Sequence, residues 1–293
     1  MPRVSIVMPL YNKAAYIERT IASVLQQTEE DFELLIIDDG STDAGPALAR
    51  SVADPRVRVF GFPNGGVSLA RNRGIGLASS SLIAFLDADD SWEPRFLADA
   101  LRELDANEAA VAVFCNIVEA QAPEGSLPRA KNAVLIDDYP AWFVAHKGLG
   151  LWSSNTVARK EALMACGLFP VGVHNGEDTD TWLRLSFQGP VIYLPRPWAR
   201  YNSDDEGSLS KRYKAVRPHA IASLEAIIGV GGLSASKARS ARRAVSYFWI
   251  AYATALAQAG ERSESFKALR HARPSPLLSR PFFRWAYAAL TGS

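Results

Sequence analysis

The chain has little sulfur chemistry to offer and no long apolar run. Cys115 and Cys166 are its only cysteines among 293 residues, too few for a disulfide framework or a cysteine-rich zinc site. Both are expected to be ordinary buried thiols. His146, His174, His219 and His271 show no metal-ligand spacing. No serine stands in a nucleophile elbow, which weakens any hydrolase reading. Nothing approaches the roughly 18 to 20 consecutive apolar residues that span a bilayer; residues 245 to 259 come nearest, and they are short and interrupted. The start, Met1-Pro2-Arg3, passes straight into an apolar strand without the charged, apolar and small-residue succession of a signal peptide, so a cytoplasmic location is expected.

What is present is an ordinary globular composition with an uneven charge distribution. Residues 211 to 293 carry 14 Lys/Arg against 3 Asp/Glu, while residues 1 to 210 carry 18 against 28. Along the acidic part, short β-branched runs alternate with amphipathic segments. Strands are expected at 4 to 8, 33 to 37, 57 to 60 and 81 to 86, and helices at 14 to 27, 44 to 52, 67 to 78 and 94 to 107, the last capped by Ser91. Such repeated strand and helix units predict a mostly parallel sheet covered on both faces. Further strands are read at 111 to 117, 156 to 159 and 191 to 194, with helices at 160 to 166 and 179 to 187. The stretch from 195 to 210 reads as a polar, turn-rich exit. These features divide the chain into an α/β domain over 1 to 210 and a basic, aromatic-rich helical extension over 211 to 293.

Three acidic motifs sit where strands or loops give way to helices. Asp38-Asp39-Gly40-Ser41 follows the second strand, at the carboxyl edge where open α/β sheets bind ligands. Asp39 is suited to accept a base imide N–H, and equally suited to a turn, with Ser41 or Asp43 capping the next helix. Asp87-Ala88-Asp89 follows a buried strand. Residues two apart in an extended chain point the same way, so both carboxylates can reach one hard cation; Asp90 is a third ligand or a cap. Asp178, in Gly176-Glu177-Asp178-Thr179-Asp180, stands at a helix start as a candidate general base or as a complement to the helix dipole. Asn64-Gly65-Gly66 opens another helix with backbone N–H groups suited to an anion, but matches neither a P-loop nor a dinucleotide fingerprint. Trp142, Trp152 and Trp182 are either a sugar-stacking platform or core.

Together, residues 4 to 12, 34 to 43, 64 to 74, 85 to 94 and 176 to 184 resemble, in order and spacing, the family 2 glycosyltransferases of the GT-A fold. The resemblance implies a Rossmann-like α/β sandwich and an inverting, metal-dependent transfer from a nucleotide-diphospho-sugar to an acceptor hydroxyl. By it, Pro9, Tyr11 and Asp39 line the nucleotide pocket, Arg71 lies near the diphosphate, Asp87 contacts ribose or metal, Asp89 binds Mn²⁺ or Mg²⁺, and Asp178 is the base. UDP is the expected nucleotide, and a polysaccharide, glycolipid or other cell-envelope glycan the expected product. Sugar and acceptor determinants are placed in 115 to 175 and 195 to 215, the segment from Asn202 to Ser210 being a loop that closes over the donor.

The tail interleaves Arg239, Arg242, Arg243, Arg270, Arg273, Arg280 and Arg284 with Trp249, Phe282, Phe283 and Trp285. It is read as a peripheral contact for anionic membrane at the inner face of the cell, or as a helical cap pairing with the acidic domain. A sugar nucleotidyltransferase and a glycan or nucleotide-sugar binding module without turnover are the alternatives. The first lacks its Gly-rich loop at the start of the chain, and the second leaves Asp178 without a role. Nucleic acid is not an expected partner, given the clustered carboxylates.

Overall fold

The computed structural model describes residues 1–119, 132–148, 150–173, 175–202 and 216–272. Expectations for the loop at 203–210, for His174, and for Arg273, Arg280, Phe282, Phe283, Arg284 and Trp285 lie outside the described residues. The chain forms two compact units. One comprises Met1–Asp137, Leu151–Gly172 and Phe187–Asp205, and the other Asp138–Gly150, Val173–Ser186 and Glu206–Ser293.

The first unit is built on one nine-stranded sheet. Its leading strands are β1 (Val4–Leu10), β2 (Phe32–Asp38), β3 (Val57–Gly61) and β4 (Leu82–Phe85). They alternate with α1 (Ile17–Leu25), α2 (Gly45–Arg50) and α3 (Val67–Leu77). The apolar runs of β1, β2 and β4 are buried nearly throughout, as central strands covered on both faces require. Helix α1 buries Ile17, Ile21 and Val24, the stripe its spacing predicts. Strand order runs β3-β2-β1-β4, all parallel. The chain therefore steps outward twice and then returns to the far side of β1, which creates a switch point between β1 and β4 at their carboxyl ends. At Gly74 of α3 an added Cβ would lie 2.3 Å from Val7 Cγ1, so only glycine lets this helix lie so close to β1.

Beyond β4 the sheet becomes mixed. It continues through β5 (Ser91–Trp92), β6 (Ala112–Glu119), β7 (Val134–Ile136), β8 (Thr156–Arg159) and β9 (Val191–Tyr201). Strand β8 enters antiparallel between β4 and β6, while β9 runs parallel to β6 and antiparallel to β5 and β7. The turn-rich exit expected from residue 195 is instead strand as far as Tyr201, because a bulge absorbs Pro195 and Pro197 outside the ladder. Ser91 is likewise a strand residue; α4 (Phe96–Ala106) follows Arg95 without a side-chain cap. Helix α6 (Lys160–Ala165) ends at Cys166, which is only partly buried. Cys115 is fully buried, and burial pushes its thiol far above the ordinary range.

A buried acid helps to lock the parallel strands. Glu33 of β2 accepts from Ser5 Oγ (2.6 Å) on β1 and from Ser79 N (2.8 Å) and Oγ (2.6 Å), with Arg58 on β3 at 3.2 Å. Burial alone raises its pKa. The hydrogen bonds from Ser5 and Ser79 and the charge of Arg58 outweigh burial, leaving it below the ordinary carboxylate value. A depressed folded-state pKa gives stability that is present above the unfolded value, about 4.3, and lost as pH falls through the folded one. Glu33→Gln is therefore expected to lower the urea midpoint at pH 7, and the gap to wild type should narrow below about pH 4.3. A gap that stays constant with pH would assign the effect to shape alone.

The second unit is helical within its described residues: α5 (Tyr139–Ala145), α7 (Glu177–Leu185), α8 (His219–Val230), α9 (Ala235–Gln258) and α10 (Arg262–Leu269). Helix α9 packs against α5, α8 and α10, and α7 against α8. Asp138 caps α5 through Ala141 N and accepts from Ser240 Oγ of α9 at 2.6 Å. Trp249 is 7% exposed, with His271 stacked at 4.4 Å and Arg217 over its ring at 4.8 Å. It is an internal residue, not one offered to lipid. No helix among the described residues is long and apolar enough to cross a membrane.

Candidate active site

The crevice forms where the carboxyl ends of β1, β2 and β4 come together. Leu10 pairs with Asp38, and Val7 with Phe85. The three loops leaving these strands therefore meet; they carry Tyr11, Asp39, and Asp87 to Asp90, with Pro9 next to last in β1. Tyr11 is 49% exposed. The first two loops are knitted together. Asn12 Oδ1 accepts from Thr42 N (2.7 Å), Asn12 N donates to Ser41 Oγ (3.1 Å), and Ala14 N donates to Asp43 Oδ2 (2.8 Å).

Asp39 is 3% exposed and its carboxylate is heavily engaged. It accepts from Gly65 N (2.9 Å), Gly66 N (2.7 Å) and Arg73 Nη1 (3.3 Å). The Gly-rich start of α3 was expected to turn these backbone N–H groups toward a bound anion; the structure gives both to an internal anion, Asp39. Gly40, at φ +75°, has the Asn64 backbone 2.8 Å from where a Cβ would stand, so the loop closes only with glycine there.

The acidic loop after β4 is buttressed from two sides. From α1, Thr20 Oγ1 donates to the carbonyls of Ala88 (2.9 Å) and Asp90 (2.8 Å), and Arg19 to that of Asp89 (3.1 Å). From the other side, Ser154 Oγ accepts from Asp87 N (3.1 Å), and the Ser154 carbonyl accepts from Trp92 Nε1 (2.7 Å). Within this frame Asp87 pairs with Arg71 at 2.8 Å, and Asp89 with Lys13 at 2.5 Å. Arg71 is 3% exposed and lies over the Phe169 ring at 5.2 Å. It thus presents its charge from a buried seat.

Asp90 is a latch. Its side chain is buried and accepts from Asn202 N at 3.0 Å, fastening the loop to the end of β9. Burial foremost, then the charges of Asp87 and Asp89, push its pKa well above the carboxylate range, against hydrogen bonds from Ser154 and Asn202. Among the described residues no group of three or more His, Cys, Asp or Glu forms a ready metal cage. Asp87 and Asp89 are oxygen donors of the type hard cations take, each ion-paired here, to Arg71 and Lys13.

Asp178 belongs to the second unit, in the first turn of α7, after Gly176 at φ +75°. Thr179 N donates to its Oδ1 at 2.6 Å. Trp182, on the same helix, is fully buried, which removes it from any sugar-stacking role. Trp152 is 37% exposed, with Tyr201 edge-on at 6.0 Å, and Trp142 stacks on His146 at 4.0 Å. Sequence reading did not single out Lys13, Thr20 or Ser154. Thr20 and Ser154 act through hydrogen bonds to residues 62 to 70 positions away, for which no local motif exists.

Residues 5–166 match the model of the family described as glycosyl transferase family 2. The succinoglycan biosynthesis protein ExoO of Rhizobium meliloti is 42% identical over 114 residues, 39% of this chain and 33% of that protein. Three such curated relatives are matched over only 32 to 40% of their length. Among solved structures, Staphylococcus aureus TarS 1-349 in complex with UDP-GlcNAc superposes with a TM-score of 0.71 at 16% identity, over 99% of this chain and 89% of that one. The mannosyltransferase PcManGT from Pyrobaculum calidifontis, in complex with GDP-Man and Mn²⁺, gives 0.64 at 19% identity, over 99% and 87%. At these identities the structural matches speak to the fold, which is the mixed α/β architecture described above.

Proposed function

Because the chain belongs to glycosyl transferase family 2, we propose that it transfers a sugar, UDP-linked foremost, from a nucleotide diphosphate to a hydroxyl of a glycan or lipid-linked acceptor, in polysaccharide or cell-envelope glycan synthesis. The observation that carries this reading is the meeting of Asp87 and Asp89 with Arg71 and Lys13 at the β1/β4 switch point. That combination of oxygen ligands and fixed cations matches a metal diphosphate. It has no evident structural purpose in a loop already braced by Thr20, Ser154 and Asn202.

In this reading Pro9, Tyr11 and Asp39 border the nucleotide base, with Asp39 holding the 64–66 loop as its wall. Arg71 faces the diphosphate. Asp87 contacts ribose or metal, and Asp89 is the chief metal ligand. A bound Mn²⁺ or Mg²⁺ supplies charge stabilisation for the departing diphosphate. Asp178 takes the proton of the acceptor hydroxyl as its oxygen bonds to the anomeric carbon. The C1–O bond to phosphate breaks in the same displacement and its electron pair leaves on the diphosphate, so the anomeric centre inverts and no covalent enzyme intermediate forms. The two structural relatives, one in complex with UDP-GlcNAc and the other with GDP-Man and Mn²⁺, support a nucleotide-sugar donor without fixing which.

The experiment is a donor screen. Purified protein with Mn²⁺ or Mg²⁺ is offered UDP-, GDP- and dTDP-sugars, and released nucleoside diphosphate is measured. Release from one donor that stops on chelation is the expected result. The reading fails if neither release nor saturable nucleotide binding appears across the panel.

A further inference from the structure

The sheet unit contains a cavity of about 670 Å³ that none of Pro9, Tyr11, Asp39, Arg71, Asp87 or Asp89 lines. One wall is the bulge in β9. Cys115 pairs with Leu194 and Ile117 with Ala199, so four residues of β9, 195 to 198, stand opposite the single Asn116 of β6. Pro195 and Pro197 fix the backbone and lack amide donors, which keeps the excursion out of the ladder and turns Arg196 and Trp198 toward other uses.

The facing wall is α4 with its N-cap Arg95; Asp99, Arg102 and Glu103 lie at offsets of four, seven and eight from Arg95 on one stripe. Asp99 is 5% exposed, and its Oδ1 accepts from both Arg95 Nη2 (3.3 Å) and Arg102 Nη1 (2.7 Å). A buried carboxylate thus holds two guanidiniums that are otherwise 64% and 58% exposed. Each guanidinium carries five N–H donors. Arg95 gives one to Asp99; Arg102 gives one to Asp99 and one to Glu103. The remaining donors of Arg95 and Arg102 have no acceptor among the described residues, and Arg196, itself engaged elsewhere, also lines the cavity. The lining thus sets three guanidiniums against two carboxylates, Asp99 and Glu103, in a stretch, 1 to 210, where acids outnumber bases 28 to 18. The Nε1–H of Trp198 is buried, with no acceptor among the described residues.

We propose that this cavity is a second saccharide site, which takes a sugar unit bearing a carboxylate or phosphate from the growing acceptor glycan. Guanidinium forks match both anions in shape. The cavity falls within the roughly 300 to 1,000 Å³ of small-molecule sites, more than a bare anion fills. The inference rests on the glycosyltransferase reading only in taking the sugar to be part of the acceptor.

The test is calorimetric titration of the full chain with a hexuronate oligosaccharide, a sugar phosphate, inorganic phosphate and a neutral oligosaccharide of equal length, with UDP plus Mn²⁺ titrated into the same preparation. Binding of the hexuronate or the sugar phosphate is expected, unaffected by saturating UDP and weakened by salt. Whichever of the two binds names the source of the anion. Arg196→Gln and Arg102→Gln should each weaken it by about tenfold or more, as loss of a charged hydrogen bond implies, and leave UDP affinity unchanged. The inference is overturned if only the neutral sugar or inorganic phosphate binds, if nothing but UDP binds, or if the arginine variants bind the charged sugar normally. Absence of UDP binding would count instead against the donor site.

Discussion

Replacing Asp178 by alanine is expected to cut turnover by roughly 10² to 10⁴-fold while leaving nucleotide affinity intact. The carboxylate stands in the first turn of α7, where the backbone N–H of Thr179 donates to it and the helix dipole favours its charged, proton-accepting form. A base contributes only to the step in which the acceptor hydroxyl loses its proton, so donor binding should be blind to the change. Asp178→Asn separates this role from simple dipole complementation. An amide keeps the hydrogen bond but takes no proton, and should be as inactive as alanine. Were Asp178 only a complement to the dipole, either change would cost about 0.3 to 1 kcal/mol of stability and spare turnover. Turnover assays beside melting curves decide between the two.

Asp89→Ala is expected to abolish the metal dependence of nucleotide binding and to lower turnover by roughly 10² to 10³-fold, the usual cost of removing one preorganised stabiliser of transition-state charge. Because Asp89 also pairs with Lys13, the variant removes that ion pair as well, and Lys13→Met is the control. If metal-dependent binding survives in Asp89→Ala, the ion is held elsewhere and the assignment of Asp89 fails. Titrating Mn²⁺ against nucleotide in wild type and both variants reads this without needing an acceptor.

The parts of the fold that local sequence dictates were readable from it. Strands β1 to β4 and helices α1 to α4 form close to their expected positions, because continuous apolar runs and 3.6-residue stripes are local signals; β5 at Ser91–Trp92, too short to carry such a signal, was not expected. The carboxyl-edge location of Asp39 and Asp87 to Asp90 followed from the strands before them. Two prolines at 195 and 197 argue locally against a strand, yet β9 runs through them, because a bulge moves them off the ladder. No periodicity reveals that β8 enters antiparallel between β4 and β6. Nor does any local signal show that 138–150 and 173–186 join the helical unit. The roles of Thr20, Ser154 and Asn202 in holding the acidic loop were equally hidden, since hydrogen bonds across 62 to 112 residues leave no local pattern.

The engagement of Asp39 with Gly65, Gly66 and Arg73 makes position 39 a poor place to engineer nucleotide preference. A library randomised there would return mostly collapsed loops, and a screen for activity would score structural casualties and altered donors alike. Positions on the exposed rim, Tyr11 foremost, would report on recognition with the scaffold left standing.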